Sequence, residues 1–233
     1  KTVGVLDGAT ISVLLTGDEE SVGQPGARAR ADLVEMAKKS DAVLSFEGMG
    51  LDANGEESMT TGRRGAGGWV LTVTGKQGHS SRIFGPAAGY GAAYELARIV
   101  NAFREQLIEP GLTFSTGVML AGTEVSWDAA QARGTAAGKG NVTPPQAMAR
   151  GDLRALTAEQ RDRARSRMRE IVAKSLPGTS ATISFEEGYP GMPPTDGNRA
   201  LLAVFDQVSQ ALGYPATEAA PVVFPGKEDR DSQ

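Results

Sequence analysis

The sequence predicts an α/β fold in which a mixed, mainly parallel sheet with helices is interrupted by an inserted α+β domain. Residues 10–46 follow the order strand, helix, strand, and the two strands of such a unit usually pair in parallel. Residues 52–68 are rich in glycine and polar residues, which is typical of a domain crossing. Residues 69–187 then follow the order β-α-β-β-α-β, which is that of a complete small domain.

In the first part of the chain, two predicted strands each end in acidic residues. Thr10–Leu15 is apolar and β-branched and is predicted to be a buried strand, Ala42–Phe46 is predicted to be the second strand, and a helix is expected between them over residues 27–39. Asp18–Glu20 follow the first strand and Glu47 follows the second. Because the carboxyl ends of parallel strands converge on one crevice, we expect these acids to lie close together.

The inserted domain is expected to begin near Gly65, which divides the chain into residues 1–64, 65–187 and 188–233. Its element order is that of ferredoxin-like, split βαβ domains, with both helices on one face of an antiparallel sheet. Its predicted elements are strands at 69–74, 112–120, 146–153 and 181–187, a helix at 86–107, and a helix that opens with the capping box Thr157–Gln160. A later helix over residues 198–212 is expected to turn Leu201, Leu202, Phe205 and Val208 inward.

Composition argues against several classes of function. A chain of 233 residues with 40% hydrophobic residues can bury a sizeable core. Its net charge of −4 provides no overall field to recruit nucleic acid or an anionic membrane, and no segment has the roughly 20 apolar residues of a membrane span. The absence of cysteine removes thiolate ligands and nucleophiles and leaves a cytoplasmic and a periplasmic or secreted location equally open.

The acid cluster Asp18–Glu20 has two interpretations. Three adjacent carboxylates need solvent, cationic partners or a metal, and a solvated surface cluster is the simpler case. The second acid, Glu47, favours a metal site, because hard oxygen ligands suit divalent cations and one acid of such a set can remain unligated as a general base.

Four motifs in order resemble a known family. The segments "TGDEE", "DAVLSFEG", "GKQGHSS" and "GNVTPPQAMARGDLR" are similar to those of the di-zinc amidohydrolases that include glutamate carboxypeptidase, acetylornithine deacetylase and succinyl-diaminopimelate desuccinylase. The resemblance runs from about Val13 to Pro193. It implies a catalytic domain formed by residues 1–64 and 188–233, interrupted by a lid and dimerisation domain at 65–187.

The resemblance also assigns roles to the acids. Glu19 would be the general base that deprotonates a metal-bound water and later protonates the leaving amine. Glu20 would ligate one zinc ion and Glu47 the other, with two zinc ions in a complete site.

The remaining candidate residues lie in the lid. His79, the single histidine, is either a surface or capping residue or, as the resemblance implies, a donor to the oxyanion in the active site of the neighbouring subunit. Asn141 would add a hydrogen bond to the substrate, and Arg154 would clamp a substrate carboxylate through its bidentate guanidinium. Strand alternation places Arg150 on the same face as Arg154, where we interpret it as part of a solvated surface.

Some elements of the family pattern are absent from this sequence. The family also uses a histidine and a bridging aspartate before the acid motif and another histidine near its C-terminus, so we interpret the chain as a fragment of a longer enzyme, or else as a metal-poor descendant. Ser58 stands where glutamate-releasing members carry a lysine, and Arg63-Arg64 could make either hinge contacts or substrate contacts.

Two functions follow from the sequence. The first is a zinc-dependent hydrolase, of carboxypeptidase or N-acyl amino acid deacylase type, which acts on small peptides or N-acyl amino acids as a homodimer formed through the lid. The alternative is a non-catalytic dimerisation or binding module derived from such an enzyme, without a complete metal site.

Overall fold

The structure is a computed structural model that describes residues 8–17, 23, 25–46, 50–51 and 57–220. The chain divides into two compact units, Lys1–Gly48 and Met49–Gln233. No helix among the described residues is long and apolar enough to cross a membrane.

The first unit contains two short helices, α1 (Gly26–Ala29) and α2 (Ala31–Ala37), which confirm helical structure between the two acidic segments. The predicted strands at Thr10–Leu15 and Ala42–Phe46 were wrong, because both segments lack strand pairing and are exposed; Leu15 is 90% and Phe46 89% exposed. A strand is stabilised by hydrogen bonds to a neighbour and by cover over its apolar face, and the described part of this unit supplies neither.

The second unit holds the other elements, and the largest group of them forms one sheet. In chain order they are β1 (Gly50–Leu51), β2 (Glu57–Met59), β3 (Gly65–Gly75), β4 (Gly78–His79), a 3₁₀ turn (Ser80–Arg82), α3 (Gly91–Gln106), β5 (Thr113–Gly122), β6 (Glu124–Asp128), β7 (Arg133–Ala137), β8 (Val142–Thr143), β9 (Gln146–Ala155), α4 (Ala158–Val172), β10 (Thr179–Glu186), α5 (Asp196–Ala211) and β11 (Glu218–Ala219).

The main sheet confirms the predicted inserted α+β domain. Its strands lie in the order β10-β3-β9-β5, all antiparallel, and α3 and α4 pack on one face. Strand alternation directs Trp69, Leu71 and Val73 of β3 into the hydrophobic core between the sheet and the helices. There the rings of Trp69 and Phe103 of α3 pack edge to face, with their centroids 5.6 Å apart. The opposite face carries the polar and charged side chains of β9.

Two helix starts show where local geometry departs from the sequence pattern. The helix expected from residue 86 begins at Gly91, because Gly89 and Gly91 have φ of 71° and 76° and therefore form a turn. The cap of α4 is confirmed, since Thr157 accepts a hydrogen bond from the Gln160 amide at 3.1 Å. The Gln160 side chain, however, accepts from the amide of Leu156 rather than from that of Thr157.

The predicted last helix is confirmed as α5, but its apolar face was wrongly expected to turn inward. No residue of α5 is buried, and Val208 is 54% exposed. The helix contacts β11, a strand of two residues, which is too small to cover the stripe that contains Leu201, Leu202, Phe205 and Val208.

Candidate functional site

The predicted metal-site acids lie outside the described residues. Glu19, Glu20 and Glu47 are therefore still assigned by the sequence alone. Among the residues that the structure describes, no three His, Cys, Asp or Glu side chains are grouped so as to hold a metal ion.

The structure brings His79 and Asn141 together. β4 and β8 form a two-stranded antiparallel ladder in which His79 lies opposite Val142, the residue after Asn141. The Ser80 amide also donates to the carbonyl oxygen of Asn141 at 2.9 Å. Both side chains are exposed, so the ladder places two hydrogen-bonding residues at neighbouring backbone positions at one end of the domain.

The hydrogen bonds of His79 determine which ring nitrogen carries the proton. Its Nδ1 accepts from the Ser81 amide at 3.2 Å and lies 2.9 Å from Ser81 Oγ. Because an amide can only donate, Nδ1 is unprotonated in this arrangement and the proton of the neutral ring is on Nε2. His79 thus caps the 3₁₀ turn with one nitrogen and offers an N–H donor with the other.

Arg154 is held on the helix-free face of β9 by an acidic neighbour. Its Nε donates to Asp152 Oδ2 at 2.9 Å, and Ser115 Oγ donates to Asp152 Oδ1 at 2.7 Å. Partial burial raises the pKa of Asp152, but the hydrogen bonds from Ser115 and Arg154 outweigh this and leave the pKa below its ordinary value. The carboxylate holds Arg154 through Nε, while its terminal guanidinium nitrogens have no contact to Asp152 within hydrogen-bonding distance.

A second arginine lies beside Arg154. Arg64 donates through Nη1 to Thr113 Oγ1 at 2.7 Å, and Thr113 is directly opposite Arg154 in the β5–β9 pairing. The backbone of Arg63, in contrast, exchanges two 2.7 Å hydrogen bonds with Met192. The two arginines therefore differ. The backbone of Arg63 makes the contact expected at the domain crossing, whereas the side chain of Arg64 lies on the same sheet face as Arg154.

Arg154 lies far from His79 and Asn141 within one chain. Arg154 pairs with Ala66 near the start of β3, whereas Gln146 pairs with Thr74 near its end, where the chain continues to His79. The eight steps from Gln146 to Arg154 correspond to roughly 26 Å of extended strand. The domain therefore presents an N–H donor at one end and a guanidinium cluster at the other.

The prediction that Arg150 lies on a plain solvated surface was wrong. Its side chain is only 25% exposed, pairs with Glu186 at 2.5 Å and lies over Trp127, with its guanidinium carbon 5.2 Å from the ring centroid. Trp127 belongs to the β6–β7 hairpin, an element that was not predicted and that packs against β5 and β9.

Comparison with known proteins identifies the domain. The M20-type peptidase dimerisation domain matches residues 61–180. The fold is similar to that of aminopeptidase PepT from Bacillus cereus (15% identity, 76% of this chain and 42% of that chain, TM-score 0.55). It is also similar to that of a tripeptidase from Staphylococcus aureus (16% identity, 83% of this chain and 48% of that chain, TM-score 0.54).

Both comparisons cover this chain more fully than they cover the relatives, since the chain spans less than half the length of either enzyme. A search of curated protein sequences gave no match. The matched residues contain the whole β3–β9 region, His79, Asn141 and Arg154. The chain belongs to the M20 family of peptidases and amidohydrolases, whose dimerisation domain it carries.

Proposed function

We propose that this chain is part of a zinc-dependent hydrolase that cleaves an amide or peptide bond next to a carboxylate. The observation that carries the proposal is the hydrogen bonding of His79, which occupies Nδ1 and leaves Nε2–H as the donor of an exposed ring, on the ladder that includes the residue after Asn141. A preorganised donor of this kind stabilises the oxyanion that forms when a carbonyl is attacked. Membership of the M20 family supports the same chemistry.

The active site is composed from two subunits. A substrate that places its carboxylate on Arg154 cannot also reach His79 of the same chain, because roughly 26 Å of strand separate the two ends of the domain. In a homodimer formed through the dimerisation domain, His79 and Asn141 of one protomer meet the substrate held by Arg154 of the other. The spacing within one protomer thus supports the role that the family resemblance gives to His79.

The proton transfers are assigned to Glu19. It takes a proton from the attacking water and returns it to the leaving amine, and Glu20 and Glu47 would hold zinc. When bound, zinc supplies Lewis-acid polarisation and lowers the pKa of water to about 7. The fit of these acids to a metal rests on the chemistry of their carboxylates, because all three lie outside the described residues.

The substrate is a small peptide or an N-acyl amino acid. The guanidinium of Arg154, with Arg64 beside it, favours a free carboxylate next to the scissile bond. Ser58, which matches the lysine of glutamate-releasing members, is buried in β2 and offers no cation to a second carboxylate. This favours a carboxypeptidase or deacylase whose substrate has one essential carboxylate.

Metal analysis combined with kinetics tests the proposal. We expect the full-length protein to bind two zinc ions per chain and to hydrolyse N-acyl amino acids or dipeptides, and we expect Glu20→Gln and Glu47→Gln to lower the zinc content. Glu19→Gln should retain zinc and lose turnover, which separates the base from the ligands. A full-length protein that binds no metal and cleaves none of these substrates would instead be a non-catalytic dimerisation or binding module.

A further inference from the structure

The turn that follows His79 holds a strained aromatic residue. Phe84, five residues after His79, has a φ of 68°, in the left-handed region that bulky side chains rarely occupy. The strain is held in place by the surrounding turn, in which the Phe84 amide donates to Gly89 O at 3.0 Å and the Ile83 amide to Ser80 O at 3.2 Å. Strain of this kind persists only where the surrounding structure enforces it, and strained residues are concentrated at active sites and ligand clamps.

Phe84 is presented at the surface within an aromatic cluster. Its ring contacts Tyr90 at 5.1 Å and Tyr94 of α3 at 5.4 Å between centroids. Phe84 and Tyr94 are nevertheless both 54% exposed. Two adjacent, half-exposed rings, one of them on a strained backbone, form an apolar surface outside the core of the domain.

This surface is fixed relative to His79. The Lys76 side chain donates to Ala87 O at 3.0 Å, and the Tyr90 amide donates to Pro177 O at 3.1 Å, which ties the turn down on two sides. The Ala92 amide donates to Pro144 O at 3.0 Å, next to β8, the strand that pairs with His79. The turn from His79 to Phe84 is thus built as one unit.

We infer that Phe84, backed by Tyr94, determines specificity by binding an apolar side chain next to the scissile amide. The inference rests on the proposed function, because the substrate contacted is the one whose oxyanion His79 of the same protomer stabilises. Five residues that include a 3₁₀ turn span roughly 10 Å, which is comparable to the length of a dipeptide with an extended side chain. The expected substrates therefore carry an aromatic or branched apolar side chain.

Paired substrates test this inference in the full-length, zinc-loaded protein. N-acyl-phenylalanine and N-acyl-glycine share the scissile amide and the carboxylate and differ only in the side chain. We expect Phe84→Gly to lower the ratio of their kcat/KM values by about tenfold, and Phe84→Leu to preserve most of it. Glycine accommodates the φ of residue 84, so this variant should fold. Ile108→Gly, which removes an exposed apolar side chain in the loop after α3, is the matched control and should leave the ratio unchanged.

The outcomes separate this inference from the proposed function. If the wild type hydrolyses these substrates and Phe84→Gly has the same ratio of kcat/KM values as the wild type, the inference about Phe84 is overturned. The proposed function is then unaffected. An equal loss on both substrates, accompanied by dissociation of the dimer in light scattering, would also overturn the inference and identify Phe84 as a subunit contact. If the wild type hydrolyses neither these substrates nor dipeptides, both proposals fail.

Discussion

Asp152 gives the most specific prediction about substrate binding. It joins Ser115 to Arg154, and the exchange Asp152→Asn keeps its shape while removing its charge. The guanidinium of Arg154 then loses its ionic partner and gains rotamers. We expect KM for a carboxylate-bearing substrate to rise while kcat changes little, because Asp152 positions Arg154 and does not contact the reacting atoms.

The size of the effect follows from exposure. The Arg154 and Asp152 side chains are 54% and 41% exposed, so the ion pair itself contributes only about 0.2–1 kcal/mol. Ordering a freed arginine on binding costs a further ~0.5–1.5 kcal/mol. Together these give about 0.7–2.5 kcal/mol, or a rise in KM of roughly 3- to 70-fold. Arg154→Ala removes the carboxylate contact itself and should cost about 3 kcal/mol, or more than about 100-fold.

Steady-state kinetics with an N-acyl amino acid and its C-terminal amide provide the assay. Asp152→Asn should weaken binding of the free acid and leave that of the amide nearly unchanged. Equal effects on both substrates, or no effect on either, would refute the positioning role of Asp152.

The pH dependence of stability provides a second test of Asp152. Because its pKa is lower in the folded protein, its ionised form stabilises the fold above the unfolded-state pKa of about 3.9, and this contribution disappears as pH falls through the folded-state pKa. The difference in free energy of unfolding between wild type and Asp152→Asn should therefore be present at neutral pH and vanish in strong acid. A difference that is constant with pH would contradict this reasoning.

Three further replacements test other parts of the domain. His79→Ala should lower kcat by about 100-fold with little change in KM, and an unchanged kcat would remove His79 from the site. Glu95 is fully buried and accepts hydrogen bonds from Arg98 and from the Leu176 amide. Glu95→Ala should therefore lower the free energy of unfolding, measured by urea titration, by about 3 kcal/mol. A loss below about 1 kcal/mol would contradict this. Thr157→Ala should lower the thermal stability by about 1 kcal/mol through loss of the α4 cap, whereas Thr157→Ser should not.

The inserted domain could be predicted from sequence because its signals are local. Alternating apolar residues such as Trp69, Leu71 and Val73 indicate a half-buried strand, and Thr157 indicates the start of a helix. Both patterns depend only on residues that are close in the sequence. The start of α3 was predicted too early because the positive φ of Gly89 and Gly91 depends on close packing against Pro177 and Thr143, which the sequence pattern does not report.

The first unit and α5 show the opposite case. Thr10–Leu15 and the apolar stripe of α5 have the composition of buried segments, yet burial needs a neighbouring surface. The described residues provide none for the first segment and only the two-residue strand β11 for α5. The contact of Arg64 could not be predicted from the sequence either, because its partner, Thr113, is 49 residues away in the chain. The protonated nitrogen of His79 also could not be predicted from the sequence, because it follows from the contacts with Ser81.

Subunit complementation tests the central claim, that each active site combines Arg154 of one protomer with His79 of the other. His79→Ala and Arg154→Ala chains, each nearly inactive alone, are co-expressed and purified together. Random pairing makes half of the dimers mixed, each with one complete site of two, so we predict about a quarter of the wild-type activity. A mixture no more active than the average of the two variants would contradict the shared site and place both residues in the same protomer's chemistry.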